Sequence, residues 1–436
     1  MAKPLVAIVG RSNVGKSTFF NRVAGKRISI VKDTPGVTRD RIYADAEWCG
    51  KHFTLIDTGG IESEGGFYAE IRRQAELAIE IADVVIFMVD GRDGLLSSDK
   101  EVASLLRNAS KPIVLAVNKL DNNETDSIYD FYELGLGDPY SISCLQGLGI
   151  GDLLDEVTKL FPKNEDSKEN GLSIAFVGKP NVGKSSLVNR ILGFDRVIVS
   201  DIAGTTRDAI DTPFEYNGAT YNIIDTAGMR RKRGIEDESV ERYSVMRAIS
   251  AISRADVVIV VFDASEEISE QDVRIAGMVH DEGKPSVIVM NKWDSIEKDT
   301  FTIEKYKDSL ATQLSFMSYF RAEYVSAKTG KRVEKLLDVA EEVYYNSSKR
   351  ISTGLLNDTV REAIAMSEPP THSGRRLKIM YCTQVGTNPP QFVFFVNDEK
   401  LVHFSYKRYL ENSLRRAFGF EGTPLRLKFT GRKEEE

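Results

Sequence analysis

The sequence predicts an α/β chain of two tandem, doubly wound domains with mostly parallel sheets, followed by a small α+β module. Three observations carry this. First, a long segment repeats: Leu5-Val6-Ala7-Ile8-Val9-Gly10 returns as Ser173-Ile174-Ala175-Phe176-Val177-Gly178, Thr38-Arg39-Asp40 as Thr206-Arg207-Asp208, and Asp57-Thr58-Gly59-Gly60 as Asp225-Thr226-Ala227-Gly228, at an offset of about 168. A period this long marks a duplicated domain rather than a solenoid. Second, short β-branched runs alternate with stretches of helical periodicity in each copy, as βαβ units require. Third, the repeat stops after about residue 349 and a different pattern takes over.

The elements follow in chain order. Leu5–Val9 opens the first copy as a strand, and Phe53-Thr54-Leu55-Ile56 is a second. Val84–Val89 and Ile113–Val117 are apolar at every position, which a parallel strand buried on both faces needs. Ala82-Asp83-Val84-Val85-Ile86 recurs as Ala255-Asp256-Val257-Val258-Ile259, and Asn118-Lys119 as Asn291-Lys292, at an offset near 173, so the second copy carries roughly five extra residues. The polar stretch 162–171 reads as a linker between a first domain, 1–161, and a second, 172–348. In the tail, 349–436, a helix pattern of Leu356, Val360 and Ile364, capped by Ser352 or Thr353, ends at Pro369-Pro370. Strand-like runs Leu377–Val385 and Phe392–Val396 follow, then a helix with Tyr406, Tyr409, Leu410, Leu414 and Phe418 on one face, stopped by Gly419, and a last strand, Leu425–Phe429.

Composition narrows the classes. The chain has 436 residues, 42% hydrophobic and 28% charged, which excludes disorder over most of its length. Cys49, Cys144 and Cys382 form no CxxC pattern, against a disulfide framework or zinc site. No apolar run approaches the ~20 residues that span a bilayer, and the start lacks a signal-peptide core. The cytoplasm is the expected compartment, with no membrane partner. The net charge of −7 argues against a general coating for nucleic acid and against DNA. From Arg350 onward, however, 14 Lys plus Arg face 10 Asp plus Glu, about +4 against about −11 for the rest.

The chemistry lies in motifs present twice. Gly10-Arg11-Ser12-Asn13-Val14-Gly15-Lys16-Ser17 and Gly178-Lys179-Pro180-Asn181-Val182-Gly183-Lys184-Ser185 both follow a predicted strand and open a helix, the setting of a phosphate-binding P-loop. The candidate ligand residues are Gly10, Asn13, Val14, Gly15, Lys16, Ser17 and Thr18, and Gly178, Asn181, Val182, Gly183, Lys184, Ser185 and Ser186. Lys16 and Lys184 neutralise the outer phosphates, while Ser17 and Ser185 are hydroxyl ligands for Mg²⁺. Asp57 and Asp225 end strands where a carboxylate holds Mg²⁺ through water, and Gly60 and Gly228 offer an N–H to the γ-phosphate. Asn118-Lys119-Leu120-Asp121 and Asn291-Lys292-Trp293-Asp294 select guanine. A carboxylate accepts from its N1–H and 2-amino groups, whereas adenine leaves that carboxylate unpaired. Ser143-Cys144 and Ser326-Ala327 stand where a final loop meets the base. The nucleotide is therefore GTP or GDP, and the domains read as P-loop GTPases.

With these residues in tandem and a small tail module, the whole chain resembles the EngA, or Der, family within the translation-factor-related GTPases. The resemblance implies a bacterial GTPase acting in assembly of the large ribosomal subunit, with ribosomal particles and ribosomal RNA as partners, a KH-like tail and a monomeric state. It also implies that Thr38 and Thr206 ligate Mg²⁺ when GTP is bound. Ras-like proteins orient the attacking water with a glutamine after Asp-x-x-Gly; here Ile61 and Met229 stand there, so neither copy has one. Asn13 and Asn181 are turn formers or, as in similar potassium-activated GTPases, ligands of K⁺ against the phosphates. The expectation is slow intrinsic hydrolysis stimulated by K⁺. Arg230-Arg231-Lys232-Arg233, beside the second γ-phosphate motif, is either a contact with RNA or other domains, or a solvated loop. A KH fold grips single strands with a basic GxxG loop between helices. The tail's Gly419-Phe420-Glu421-Gly422 carries an acid and precedes a strand, so it reads as a helix stop. RNA contact by the tail and packing on a GTPase domain both stay open.

Overall fold

The computed structural model describes residues 3–24, 43–59, 67–120, 125–162, 171–194, 197–199, 211–225, 238–369, 371–372 and 375–431. Thr38, Gly60, Asp121, Thr206 and Gly228 lie outside them, as do Ile61, Met229 and Arg230–Arg233. Two units are present, Met1–Ser167 with Arg233–Ser253, and Lys168–Lys232 with Arg254–Glu436.

In the first unit a six-stranded sheet has the order β2-β3-β1-β4-β5-β6. Its strands are β1 (Leu5–Val9), β2 (Tyr43–Trp48), β3 (Lys51–Asp57), β4 (Val84–Asp90), β5 (Ile113–Asn118) and β6 (Pro139–Ser141). Only the edge pair β2–β3 is antiparallel. Every residue of β4 is buried, as its unbroken apolar run requires. Helices α1 (Lys16–Ala24), α2 (Phe67–Ile81), α3 (Ser97–Arg107) and α4 (Ile150–Lys159) accompany the sheet. One core layer joins Val6, Ile8, Phe19, Phe53, Leu153 and Val157; the other joins Val9, Ala75, Phe87, Val102 and Phe131. This two-faced burial makes the sheet rigid and sets strand ends as fixed platforms for loops. Residues up to Ser253 of α6 (Glu238–Arg254) also belong to this unit, where Met246 packs with Leu5, Ile56, Leu77 and Ile81 and Arg247 donates to Glu80 at 2.7 Å.

The second unit repeats the design with seven strands in the order β13-β12-β11-β7-β10-β9-β8. These are β7 (Leu172–Val177), β8 (Val197–Val199), β9 (Thr212–Tyr216), β10 (Ala219–Ile224), β11 (Val257–Asp263), β12 (Ser286–Asn291) and β13 (Arg321–Tyr324). The extra edge strand β8 pairs antiparallel with β9; three residues are too few for a period to show in sequence. Helices α5 (Lys184–Leu192), α7 (Glu270–Asp281), α8 (Thr302–Gln313) and α9 (Lys335–Ser348) complete it.

The tail is the expected α-β-β-α-β module: α10 (Thr353–Met366), β16 (Ile379–Gly386), β17 (Gln391–Val396), α11 (Phe404–Phe418) and β18 (Arg426–Gly431), with a short added hairpin, β14 (Thr371–His372) and β15 (Arg375–Arg376). Leu356 and Val360 of α10 and Tyr406, Leu410 and Leu414 of α11 cover one face of the sheet, over Cys382, Phe392, Phe394 and Leu427. Of the two open readings, packing on a GTPase domain is present. Gly419 stops α11 at φ +84°, as the sequence requires, and the turn that follows is also a dock. The Ser286 N–H donates to Gly422 O at 2.8 Å, Gly422 N–H to Tyr319 O at 2.7 Å, and Asn346 Nδ2 to Glu421 O at 3.1 Å. Arg415 lies over the Tyr319 ring at 4.6 Å and donates to Phe420 O and Thr423 O. Arg426 donates to Asp281 O at 3.1 Å.

Candidate functional site: two nucleotide-binding loops

Each phosphate loop leaves the carboxyl end of a buried central strand, β1 or β7, and turns straight into a helix. In an open α/β sheet that end, beside a helix N-terminus, is where a phosphate is held by N–H groups and the helix dipole. Asn13 and Asn181 occupy the left-handed region, φ +67° and +64°, which Asn tolerates better than most residues. Both are exposed. Gly15 and Gly183, at φ +104° and +97°, have a second reason to be glycine. A Cβ there would stand 2.2 or 2.3 Å from Nδ2 of Asn118 or Asn291.

Those two asparagines brace each site. Asn118 is 3% exposed; its Nδ2 donates to Val14 O at 2.7 Å and its Oδ1 accepts from Cys144 N–H at 2.9 Å. Asn291 repeats this with Val182 O at 2.8 Å and Ala327 N–H at 3.0 Å. One side chain thus pins the phosphate loop, the guanine motif and the final base loop together. The flanking lysines adopt left-handed backbone, and each meets a buried carboxylate at the end of the neighbouring strand: Lys119 with Asp90 at 2.5 Å, and Lys292 with Asp263. Burial alone would raise the Asp263 carboxyl, but hydrogen bonds from Lys292 and Ser265 outweigh it and hold it below the ordinary range. Asp294 is exposed and accepts from Ser326 Oγ at 2.6 Å, a bond that lowers its pKa and keeps it an acceptor. Ser143 is buried beside Cys144, and Ser326 beside Ala327.

At the phosphate end, Lys16 Nζ bridges Gly10 O and Arg11 O at 2.6 and 2.7 Å; Lys184 does the same with Gly178 O and Lys179 O, both at 2.7 Å. Ser17 Oγ donates to Asp57 Oδ2 at 2.8 Å, so a hydroxyl and a carboxylate oxygen adjoin the lysine. Hard oxygen donors in this pairing fit Mg²⁺. Ser185 lies in the first turn of the corresponding helix, and Asp225, at φ +60°, donates its N–H to Asp211 Oδ1 at 3.1 Å. Thr18 and Ser186 are exposed on the first helical turn.

Sequence reasoning missed a second pair of braces. Arg11 Nε donates to the fully buried Asp99 of α3 at 3.0 Å, and Lys179 pairs with the equally buried Asp272 of α7 at 3.2 Å. Each carboxylate also caps its own helix, Asp99 through Leu96 N–H and Asp272 through Ser269. Burial raises the Asp99 carboxyl despite the opposing arginine. The available signal was a base at the second loop position in both copies, with Asp99 and Asp272 at the repeat offset of 173.

Residues 5–119 and 173–292 match the family model of a 50S ribosome-binding GTPase, and residues 350–430 match that of the KH-domain-like C-terminal part of EngA bacterial GTPase enzymes. Curated relatives named GTPase Der are similar over the full length: that of Clostridium novyi is 58% identical over 439 residues, covering 100% of both chains, and that of Clostridium acetobutylicum 58% over 438 residues, covering 99% of this chain and 100% of its own. Among solved structures, a point variant of Aquifex aeolicus Era bound to GDP·AlF₄⁻ aligns at a TM-score of 0.31 with 21% identity, over 59% of this chain and 91% of that one, a likeness too slight to carry functional weight.

Proposed function

The chain belongs to the Der (EngA) family of GTPases, and from that premise we propose that this GTP-binding switch acts in assembly of the large ribosomal subunit. Its nucleotide state governs domain arrangement and thereby binding to ribosomal particles and their RNA. The observation that carries the reading is the duplicated brace, in which a buried Asn118 or Asn291 locks phosphate loop and base loops into one unit in each copy. Two preorganised sites favour two working switches over one switch and one ornamental fold.

In this reading Lys16 and Lys184 neutralise the outer phosphates, and Asp121 and Asp294 read guanine. Ser17, Thr38 and Asp57, with Ser185, Thr206 and Asp225, would hold Mg²⁺, which when bound offsets charge on the transferring phosphoryl group. Gly60 and Gly228 present their N–H groups to that group. With Ile61 and Met229 unable to orient water, intrinsic hydrolysis is slow, and Asn13 and Asn181 hold K⁺ in the place an arginine finger serves elsewhere, an effect worth about 10³–10⁵ in rate. The protein works in the cytoplasm as a monomer. Among the described residues no helix is long and apolar enough to cross a membrane.

Sedimentation with purified ribosomal subunits tests the partner: binding to the large subunit should differ between GDP, a GTP analogue and no nucleotide. Absence from the pelleted subunits in all three conditions refutes it. Lys16→Ala and Lys184→Ala should each silence one site's turnover, and equal rates in matched KCl and NaCl would end the potassium claim.

A further inference from the structure

Arg11 and Lys179 each serve twice. Through its backbone each supplies a carbonyl to the lysine of its own loop: Lys16 Nζ donates to Arg11 O, and Lys184 Nζ to Lys179 O, both at 2.7 Å. Through its side chain each is fastened to the segment that leaves the neighbouring strand, β4 or β11, and enters α3 or α7. Arg11 lies between Asp99, at 3.0 Å, and Asp93, at 3.6 Å; Lys179 lies between Asp272, at 3.2 Å, and Glu266, at 2.8 Å. The same segments begin on the base side, since their first residues, Asp90 and Asp263, are the carboxylates that meet Lys119 and Lys292. Residues 90–99 and 263–272 therefore strap the guanine motif to the phosphate loop, once in each copy.

Burial separates the partners by role. The side chains of Asp93 and Glu266 are each 57% exposed, and an exposed pair contributes little. Those of Asp99 and Asp272 are 0% and 2% exposed. A buried carboxylate and its base hold one another in place, because either moving away leaves a charge unpaired in the interior. These pairs are not optimised for stability. Arg11 Nη2 and Asp272 Oδ1 are buried with no hydrogen-bond partner among the described residues, and packed apolar side chains would serve stability as well. What the ion pairs add is a fixed place for the backbone at the second loop position, and with it for the carbonyl that the loop lysine holds.

We propose that Arg11 and Lys179 are positioning residues for GTP hydrolysis: anchored on Asp99 and Asp272, each sets the carbonyl that aims Lys16 or Lys184 at the outer phosphates. The proposal rests on the reading of Gly10–Ser17 and Gly178–Ser185 as phosphate loops. Charge shifts among the phosphate oxygens as the phosphoryl group transfers, so the lysine's aim counts for more in the transition state than in bound GTP. A misplacement of about 1 Å costs on the order of 100-fold in rate.

The test uses the full chain in two backgrounds, Lys184→Ala to isolate the first site and Lys16→Ala to isolate the second, with turnover counted per nucleotide bound. Asp99→Asn and Asp272→Asn keep an oxygen for the helix caps at Leu96 and Ser269 but remove the charge that anchors the base. In each, kcat should fall about 10- to 100-fold while KM stays within about threefold. Arg11→Met and Lys179→Met, which lose only the cation, should match them. Arg11→Lys and Lys179→Arg, each copying the other site, should restore kcat to within about threefold of the background. In nucleotide-free protein, hydrogen exchange at residues 11–14 should quicken in Asp99→Asn and not in Arg11→Lys. Circular dichroism melting shows that each variant is folded at the assay temperature. If the Lys16→Ala, Lys184→Ala double variant turns over GTP at the unaltered rate, the phosphate-loop reading fails and the proposal falls with it. If the double variant is silent, yet Asp99→Asn and Asp272→Asn lower the melting temperature with kcat per site unchanged, the pairs only stabilise and the positioning role alone is refuted. A rise in KM at constant kcat refutes it as well, because that pattern reports lost ground-state binding.

Discussion

Replacing Asn291 with Ala removes one side chain and disconnects three loops. Its amide is 1% exposed and makes two bonds, to Val182 O at 2.8 Å and from Ala327 N–H at 3.0 Å. A buried backbone group left without its partner costs about 1–2 kcal/mol at the low end of the unsatisfied range. Two such losses total about 2–4 kcal/mol. Assigned to nucleotide binding, that is a roughly 30- to 1,000-fold weaker Kd at the second site. Calorimetric titration with GDP resolves the sites by their enthalpies, and the intact Asn118 brace makes the first site an internal reference. Asn291→Asp should be at least as damaging, because a carboxylate would face Val182 O across the gap the amide now fills. A second-site Kd within about twofold of the unaltered protein, together with an unchanged melting curve, would refute the brace.

Arg11→Ala strips the buried Asp99 of its partner and should destabilise the first unit by about 3–5 kcal/mol in denaturant titration. Burial already raises the Asp99 carboxyl, and loss of the opposing arginine should raise it further, so the variant's deficit should narrow as pH falls and the carboxylate is protonated, and widen as pH rises. Burial pushes the Cys144 and Cys382 thiols up to about 12, whereas Cys49 is exposed, so iodoacetamide at neutral pH followed by peptide mass spectrometry should find label on Cys49 alone. Ser326→Ala removes the bond that lowers Asp294, and carboxyl ¹³C NMR should show that group titrating at higher pH. Arg415→Ala loses two carbonyl partners and its seat on Tyr319, and hydrogen exchange should quicken at Gly422 and Ser286.

What could be read in the sequence was what is local. Phosphate loops, the apolar runs inside strands β4 and β5, and helix ends at Ser352 or Thr353 and at Gly419 each declare themselves within a short window. The α-β-β-α-β order of the tail followed from the same signals. What escaped was tertiary: Arg11 meets Asp99 across 88 positions, and no window of periodicity reports a pair that far apart. The duplication held the missing clue, since a paired base and acid recur in both copies. The Gly419–Gly422 turn shows a different limit. Its glycines stop a helix, as the sequence indicates, yet its carbonyls and N–H groups also bond a distant strand, and backbone groups carry no sequence signature.

Strand β12 has one further consequence. At its first residue Ser286 holds Gly422, and at its last Asn291 braces the second phosphate loop, so one buried strand about 17 Å long, from five steps of ~3.3 Å, runs from the tail's turn to that loop. The anchor of the tail and the brace of the second candidate site thus share a single element, and a core substitution that loosens β12 should slacken both ends at once.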